Sequence, residues 1–224
     1  MVMQMEEIRN NYDLGLFGDT LKRIVLKQYP HRLTDFIDSF SSNQITCKTW
    51  LVSELLNILK EKPQIKCKKI TLLGSWYGTV LVPLLIDNVK GIENIELLDM
   101  DADALAIGRK FLGKEYNGVS LSYSEADINF TDFTHRYSNI VINTSCEHMI
   151  PMDSVEFQND KDILYILQSN DMFSVREHVN CVSDNEEFAK QSGLKRTYYK
   201  GKKRLVGQDK EKYWRFMIIG RRND

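Results

Sequence analysis

Ile70-Thr71-Leu72-Leu73-Gly74-Ser75-Trp76-Tyr77-Gly78 and, about twenty residues on, Ile95-Glu96-Leu97-Leu98-Asp99-Met100-Asp101 decide the fold of this chain. Each apolar run has the length of a buried strand. The first breaks into a glycine turn; the second ends in acid. Strand, glycine turn, helix, strand, acid is the order of a nucleoside-binding βαβ unit. Its glycines let backbone approach a ligand, and an acid after the second strand can hold two ribose hydroxyls. The stretch therefore points to an adenosine-bearing cofactor.

Outward from it the pattern alternates. Strand one is expected at 69–73, a helix at 78–88, strand two at 95–99 and a helix at 102–112. Strand three follows at 119–124, strand four at 138–143, strand five at 162–168 and a helix at 184–192. Two late strands, 195–206 and 213–220, are separated by Gly207-Gln208-Asp209-Lys210 and read as an antiparallel hairpin. Continuous apolar strands alternating with helices imply a parallel sheet covered on both faces.

Residues 1–62 read as helical. Leu21 to Tyr29 and Arg32 to Phe40 carry mixed three- and four-residue apolar spacing, with Pro30 as a breaker between them. Thr46 or Thr49 is the expected cap of a helix with Leu51, Leu55, Ile58 and Leu59 on its buried face, and Pro63 stops it. The expected architecture is α/β: a doubly wound, mostly parallel seven-stranded sheet over 64–224, with a helical extension over 1–63 and a C-terminal antiparallel hairpin.

Bulk composition narrows the class. The length of 224 residues suits one well-buried α/β domain plus an extension. A net charge of −1 gives no global pull toward nucleic acid or anionic membrane. Locally, Lys195 to Arg222 holds eleven Lys and Arg against two acids, an excess able to meet phosphates. Cys47, Cys67, Cys146 and Cys181 form no CxxC pair, so neither a zinc site nor a redox motif is suggested, and no ligand cluster calls for a metal. The opening MVMQMEEIRN lacks a signal peptide's apolar core, and no run approaches the ~20 apolar residues of a membrane span. A cytoplasmic protein is expected.

The order of elements resembles the class I S-adenosylmethionine (SAM)-dependent methyltransferases over about residues 66–222. In that family the final strand is antiparallel, a glycine loop after strand one holds the methionine end of SAM, and an acid ending strand two binds ribose. A polar position after strand three meets adenine. The resemblance places those roles on Gly74, Ser75, Trp76 and Gly78, on Asp99 with Met100, and on Asp127 with Ile128, and adds Asn143 at the end of strand four to the expected cofactor contacts. Trp76 departs from the family's usual glycine, leaving two readings: Trp76 and Tyr77 pack over the cofactor, or face a neighbouring helix as core. A nicotinamide enzyme shares the strand order, but its G-x-G-x-x-G loop brings backbone against a pyrophosphate. A bulky Trp76 obstructs that approach, whereas SAM carries no phosphate.

Methyl transfer from a sulfonium is an in-line displacement, so the protein positions the acceptor and adds a base only where the nucleophile must lose a proton. The loop after strand four, Asn143-Thr144-Ser145-Cys146-Glu147-His148-Met149, opens beside the transferred group. Asn143 matches the first position of amino-directed DNA methyltransferases, but the next three residues do not. Small-molecule methyltransferases often carry a Glu-His pair here, as Glu147-His148 does. His148 is the first candidate base, and Glu147 either orients it or contacts the amino group of the methionine moiety; the alternative is that both merely cap the next helix. Cys146 reads as a small half-buried residue rather than a nucleophile.

After strand five, Gln168, Asn170 and His178 are candidate acceptor contacts, or members of a polar loop satisfying its own backbone. Phe17, Tyr29 and Trp50 form a lid or pack on the sheet. The basic hairpin, Lys195 to Arg204, interleaves cations with rings in a way that suits a nucleic-acid groove or a lysine-protected sheet edge; the edge is favoured. The expected function is SAM-dependent methylation of a small molecule. The alternatives are aminocarboxypropyl transfer from SAM in the manner of nicotianamine synthase, a nucleic-acid-directed methyltransferase using the hairpin, and a non-catalytic partner protein.

Overall fold

Strand β1 (Lys69–Leu73) lies at the centre of an eight-stranded sheet. The computed structural model describes residues 18–207 and 210–223. In chain order the remaining strands are β2 (Asn94–Asp99), β3 (Glu115–Tyr116), β4 (Val119–Glu125), β5 (Ile140–Asn143), β6 (Leu164–Asn170), β7 (Arg196–Val206) and β8 (Lys212–Arg221). Their order across the sheet is β3-β4-β2-β1-β5-β6-β8-β7. Strands β4, β2, β1, β5 and β6 are parallel; β8 runs antiparallel to β6, and β7 antiparallel to β8.

Strands β1, β2, β5 and β6 are buried on both faces, which is why they read as largely apolar runs, whereas β4 alternates buried Val119 and Leu121 with exposed Ser120 and Ser122. In β5, Ile140 and Ile142 enter one core while Val141 enters the other; in β8, Met217 and Ile219 face one core, Phe216 and Ile218 the other. The first core is covered by α4 (Leu81–Asn88), α5 (Ala102–Leu112) and the N-terminal helices. The second is covered by α6 (Asn185–Ser192) and the short turns over 146–162.

The expectation of seven strands is corrected to eight. The added strand, β3, forms a hairpin with β4 through Asn117-Gly118, both left-handed at φ 47° and 82°. An Asn-Gly pair at positive φ is the turn that two-residue hairpins require. The helix expected from residue 78 starts at Leu81, because Gly78 keeps φ at 67° and belongs to the loop.

The N-terminal helices are α1 (residues 21–28, a π turn at Leu21–Val25 running into Leu26–Gln28), α2 (Leu33–Asp38) and α3 (Ser42–Glu61). Neither Thr46 nor Thr49 caps α3. Ser41 does, with extended backbone (φ −60°, ψ 157°) and its hydroxyl accepting from the Gln44 N–H at 3.5 Å. The helix stops at Glu61, two residues before Pro63. Val25, Phe36, Trp50, Leu51 and Leu55 share the first core with the sheet. Phe17 lies outside the described residues, as do Gln208 and Asp209 of the hairpin turn.

Trp50 and Tyr29 pack rather than form a lid. The Trp50 indole N–H donates to the Tyr199 hydroxyl at 3.0 Å, and Tyr29 lies under the Lys110 ammonium. The hairpin's cations also cover rings of the same chain, with Lys202 4.4 Å and Arg204 5.5 Å from the Trp214 ring centre. Strand β7 is the sheet edge, and its exposed face is charged. Among the described residues, no helix is long and apolar enough to cross a membrane.

Candidate active site

A cavity of about 810 Å³ opens at the carboxyl ends of the parallel strands. That is where ligands of open α/β sheets bind, and the volume falls within the ~300–1,000 Å³ of small-molecule sites. One wall is the loop after β1. Gly74, Trp76 and Gly78 have φ of 62°, 50° and 67°, so every second residue is left-handed. Trp76 thus takes the backbone conformation of the glycine it replaces, at a cost of roughly 1–2 kcal/mol for an L-residue. A Cβ on Gly78 would sit 2.6 Å from Leu97 Cδ2, so this position has neither the dihedral nor the space for a side chain.

Asp99, ending β2, holds the loop. Its Oδ2 accepts from the Trp76 N–H at 2.7 Å, and its Oδ1 from the Asp101 N–H at 3.0 Å. Burial raises the Asp99 carboxyl above the usual range, against the pull of these bonds. Each carboxylate oxygen has a second lone pair, so both can still accept a hydroxyl. The loop is braced from outside. Asp101 caps α5 through Ala104 N–H at 3.0 Å and pairs with Arg32, whose Nε donates to the Tyr77 hydroxyl at 3.1 Å. Tyr77 is buried edge-on against Phe36, with ring centres 5.4 Å apart, and so is core. Trp76 lines the cavity while packing partly against the first core.

Asp127 and Ile128 line the wall beyond β4, with Asp127 Oδ1 accepting from the Asn129 N–H at 2.9 Å. Opposite lies the loop after β5. Glu147, only 4% exposed, has Oε1 engaged by Arg215 Nη1 at 2.6 Å and by Asn170 Nδ2 at 2.8 Å. Its Oε2 is buried with no hydrogen-bond partner. Arg215, 9% exposed, also donates to the Thr144 carbonyl. Burial alone would lower its pKa, but the Glu147 carboxylate, acting together with Cys47 and Tyr213, raises it. His148 and His178 stand edge to face, ring centres 4.5 Å apart. Burial holds His178 below the ordinary imidazole value, offset in part by Glu147. The Cys146 thiol is pushed far up by burial and is no nucleophile.

The structure thus brings Gly74, Ser75, Trp76, Gly78, Asp99, Met100, Asp127, Ile128, Glu147, His148, Asn170 and His178 to one cavity. Asn143 and Gln168 are not in its wall. Asn143 turns its amide toward the Met149 and Met152 sulfurs and accepts from the Ser145 N–H at 2.8 Å, shaping the loop from behind. Gln168 donates to the Cys47 carbonyl at 3.2 Å, fastening β6 to α3.

Sequence reasoning missed the polar residues that close the cavity from elsewhere: Asn43, Gln44 and Lys48 on α3, and Tyr213 and Arg215 on β8. Lys48 donates to Gln44 Oε1, and burial, reinforced by Arg215, lowers its pKa to about 8. Arg215 carried a signal, a single cation next to the apolar run Phe216 to Ile219. Gln44 and Lys48, four apart on a helix, share a face, but nothing local says what that face meets.

The fold is that of the class I SAM-dependent methyltransferases. A CurJ carbon methyltransferase is similar over 94% of this chain and 67% of its own, at 11% identity and TM-score 0.57. The N-methyltransferase NodS from Bradyrhizobium japonicum WM9 is similar over 82% and 99%, at 10% identity and TM-score 0.57. Magnesium protoporphyrin IX methyltransferase (ChlM) from Synechocystis PCC 6803, a structure with bound SAM, is similar over 79% of this chain and 81% of its own, at 11% identity and TM-score 0.52. No protein-family model and no curated protein sequence matches the chain.

Proposed function

We propose that the chain is a SAM-dependent methyltransferase acting on a small-molecule acceptor. The observation that carries this reading is Asp99 at the end of β2, facing a left-handed glycine loop inside a cavity of about 810 Å³. Asp99 would take the ribose hydroxyls, Asp127 and Ile128 the adenine, and Gly74 to Gly78 the methionine end. The residues fit the group: Asp99 retains accepting capacity, and Ser75 in the same wall has a buried hydroxyl with no partner. SAM, when bound, supplies an electrophilic methyl on a sulfonium. The chain's residues orient the acceptor opposite it. Glu147 is a buried anchor held by Arg215 and Asn170, and His148 is the group able to accept an acceptor proton. Its Nδ1 lies 3.1 Å from the Glu177 carbonyl; a carbonyl only accepts, so Nδ1 carries the proton and Nε2 is left basic.

The test is calorimetric titration with SAM, S-adenosylhomocysteine and NAD, with Asp99→Ala as control. Micromolar binding of both sulfur nucleosides, lost in the variant, is expected. Binding of NAD alone, or of none, refutes the proposal. In turnover, S-adenosylhomocysteine as by-product is expected; methylthioadenosine instead would identify aminocarboxypropyl transfer in the same pocket.

A further inference from the structure

Glu147, His148 and His178 each present one ligand-capable atom, and these atoms lie within 4.8 Å of one another in the cavity wall. Such a cluster alone is common. Three further features set this one apart. Glu147 Oε1 is committed to Arg215 and Asn170, while Oε2, on a side chain only 5% exposed, has no partner. His148 Nδ1 lies 3.1 Å from the Glu177 carbonyl, and His178 Nδ1 lies 3.2 Å from the Met172 carbonyl. Both bonds place the ring proton on Nδ1 and leave Nε2 with a lone pair. Imidazoles oriented by carbonyl acceptors, and a carboxylate with one oxygen fixed by donors, are what surrounds a metal ion's ligands in proteins.

We infer that Glu147 Oε2 and the Nε2 atoms of His148 and His178 form a site for a divalent transition cation at the acceptor end of the cavity. Two imidazoles and one carboxylate suit zinc, cobalt, manganese or ferrous iron better than magnesium or calcium, which prefer all-oxygen shells. Three protein ligands leave coordination positions open, the mark of a site that takes a further ligand. Resting on the methyltransferase reading, that ligand would be an oxygen or nitrogen of the acceptor. In the cation-loaded protein the imidazoles serve as ligands, so the proton-accepting role given to His148 above belongs to the cation-free protein; the cation favours ionisation of the acceptor, whose proton passes to solvent water.

Untagged protein stripped with chelator would be titrated with Co²⁺, followed by its visible absorption, and with Zn²⁺ by competition. One equivalent is expected to bind with a ligand-field spectrum. His148→Ala and His178→Ala should each weaken binding more than about 100-fold, beyond the 10–100-fold typical of losing an outer partner. His148 is exposed, so its replacement leaves folding intact, and exposed His135→Ala is the control that keeps full affinity. Absence of one-equivalent binding, or binding that survives both substitutions, overturns the inference. SAM titrated into the metal-free protein separates the two readings. SAM binding without metal binding removes only the cation site; metal binding without SAM binding removes only the methyltransferase reading.

Discussion

Replacing Arg215 by Met tests the buried pair at the base of the site. Arg215 and Glu147 are 9% and 4% exposed, joined at 2.6 Å, and Arg215 also satisfies the Thr144 carbonyl. Methionine keeps much of the volume but leaves a carboxylate without its cation and a carbonyl without its donor. Breaking a buried pair by removing one partner costs about 3–5 kcal/mol. Asn170 still donates to Glu147 Oε1 at 2.8 Å, which argues for the lower end, about 3 kcal/mol. For a chain of this size that is a fall in Tm of roughly 6–12 °C.

The double variant Arg215→Met/Glu147→Gln removes the stranded charge. It should recover most of the loss, giving a coupling energy of about 2 kcal/mol in a double-mutant cycle read by urea unfolding. A loss below about 1 kcal/mol in Arg215→Met, or single losses that simply add, would refute the argument that the pair is desolvated and mutually dependent.

Trp76→Gly should relieve about 1–2 kcal/mol of left-handed backbone strain, so that unfolding free energy stays within ~1 kcal/mol of the parent while SAM affinity falls. A loss above about 3 kcal/mol, the usual cost of truncating a packed Trp, would show that the ring serves the core instead. Lys48, held at about 8 against an ordinary 10.5, is less protonated in the folded chain than in the unfolded chain between those values. Its desolvation cost is therefore fully present below pH ~8 and relieved as pH rises toward 10.5. Lys48→Met should be the more stable form at pH 7, with the gap closing as pH rises through that window; a gap constant with pH would contradict the burial argument. Gly118→Val places a β-branched residue at φ 82° and should cost about 1–2 kcal/mol by thermal unfolding, with the β3–β4 hairpin amides losing hydrogen-exchange protection first.

The strands and helices of the βαβ units were legible because their signals are local. Ile70 to Leu73 and Ile95 to Leu98 are apolar but for Thr71 and Glu96, since both faces of their strands are covered, and Asp101 and Asp184 cap the helices they precede. The missed strand β3 was local too; Asn117-Gly118 is a hairpin turn, but two residues on each side give too short a period to read. Trp76 could be seen as an intruder in a glycine loop, yet its left-handed backbone depends on Asp99, twenty-three residues away, accepting its N–H.

By itself, then, the sequence determined the class of fold, the strand-end acids and the loop carrying Glu147 and His148, because periodicity and turn chemistry act over a few residues. Only the tertiary structure decided which polar groups meet. It brought Lys48 from α3 and Arg215 from β8 to one cavity and turned Asn143 and Gln168 away from it. It also set His178 against His148 thirty positions earlier. Those contacts join segments that burial of separate apolar faces drives together, and no spacing within any one segment encodes the meeting.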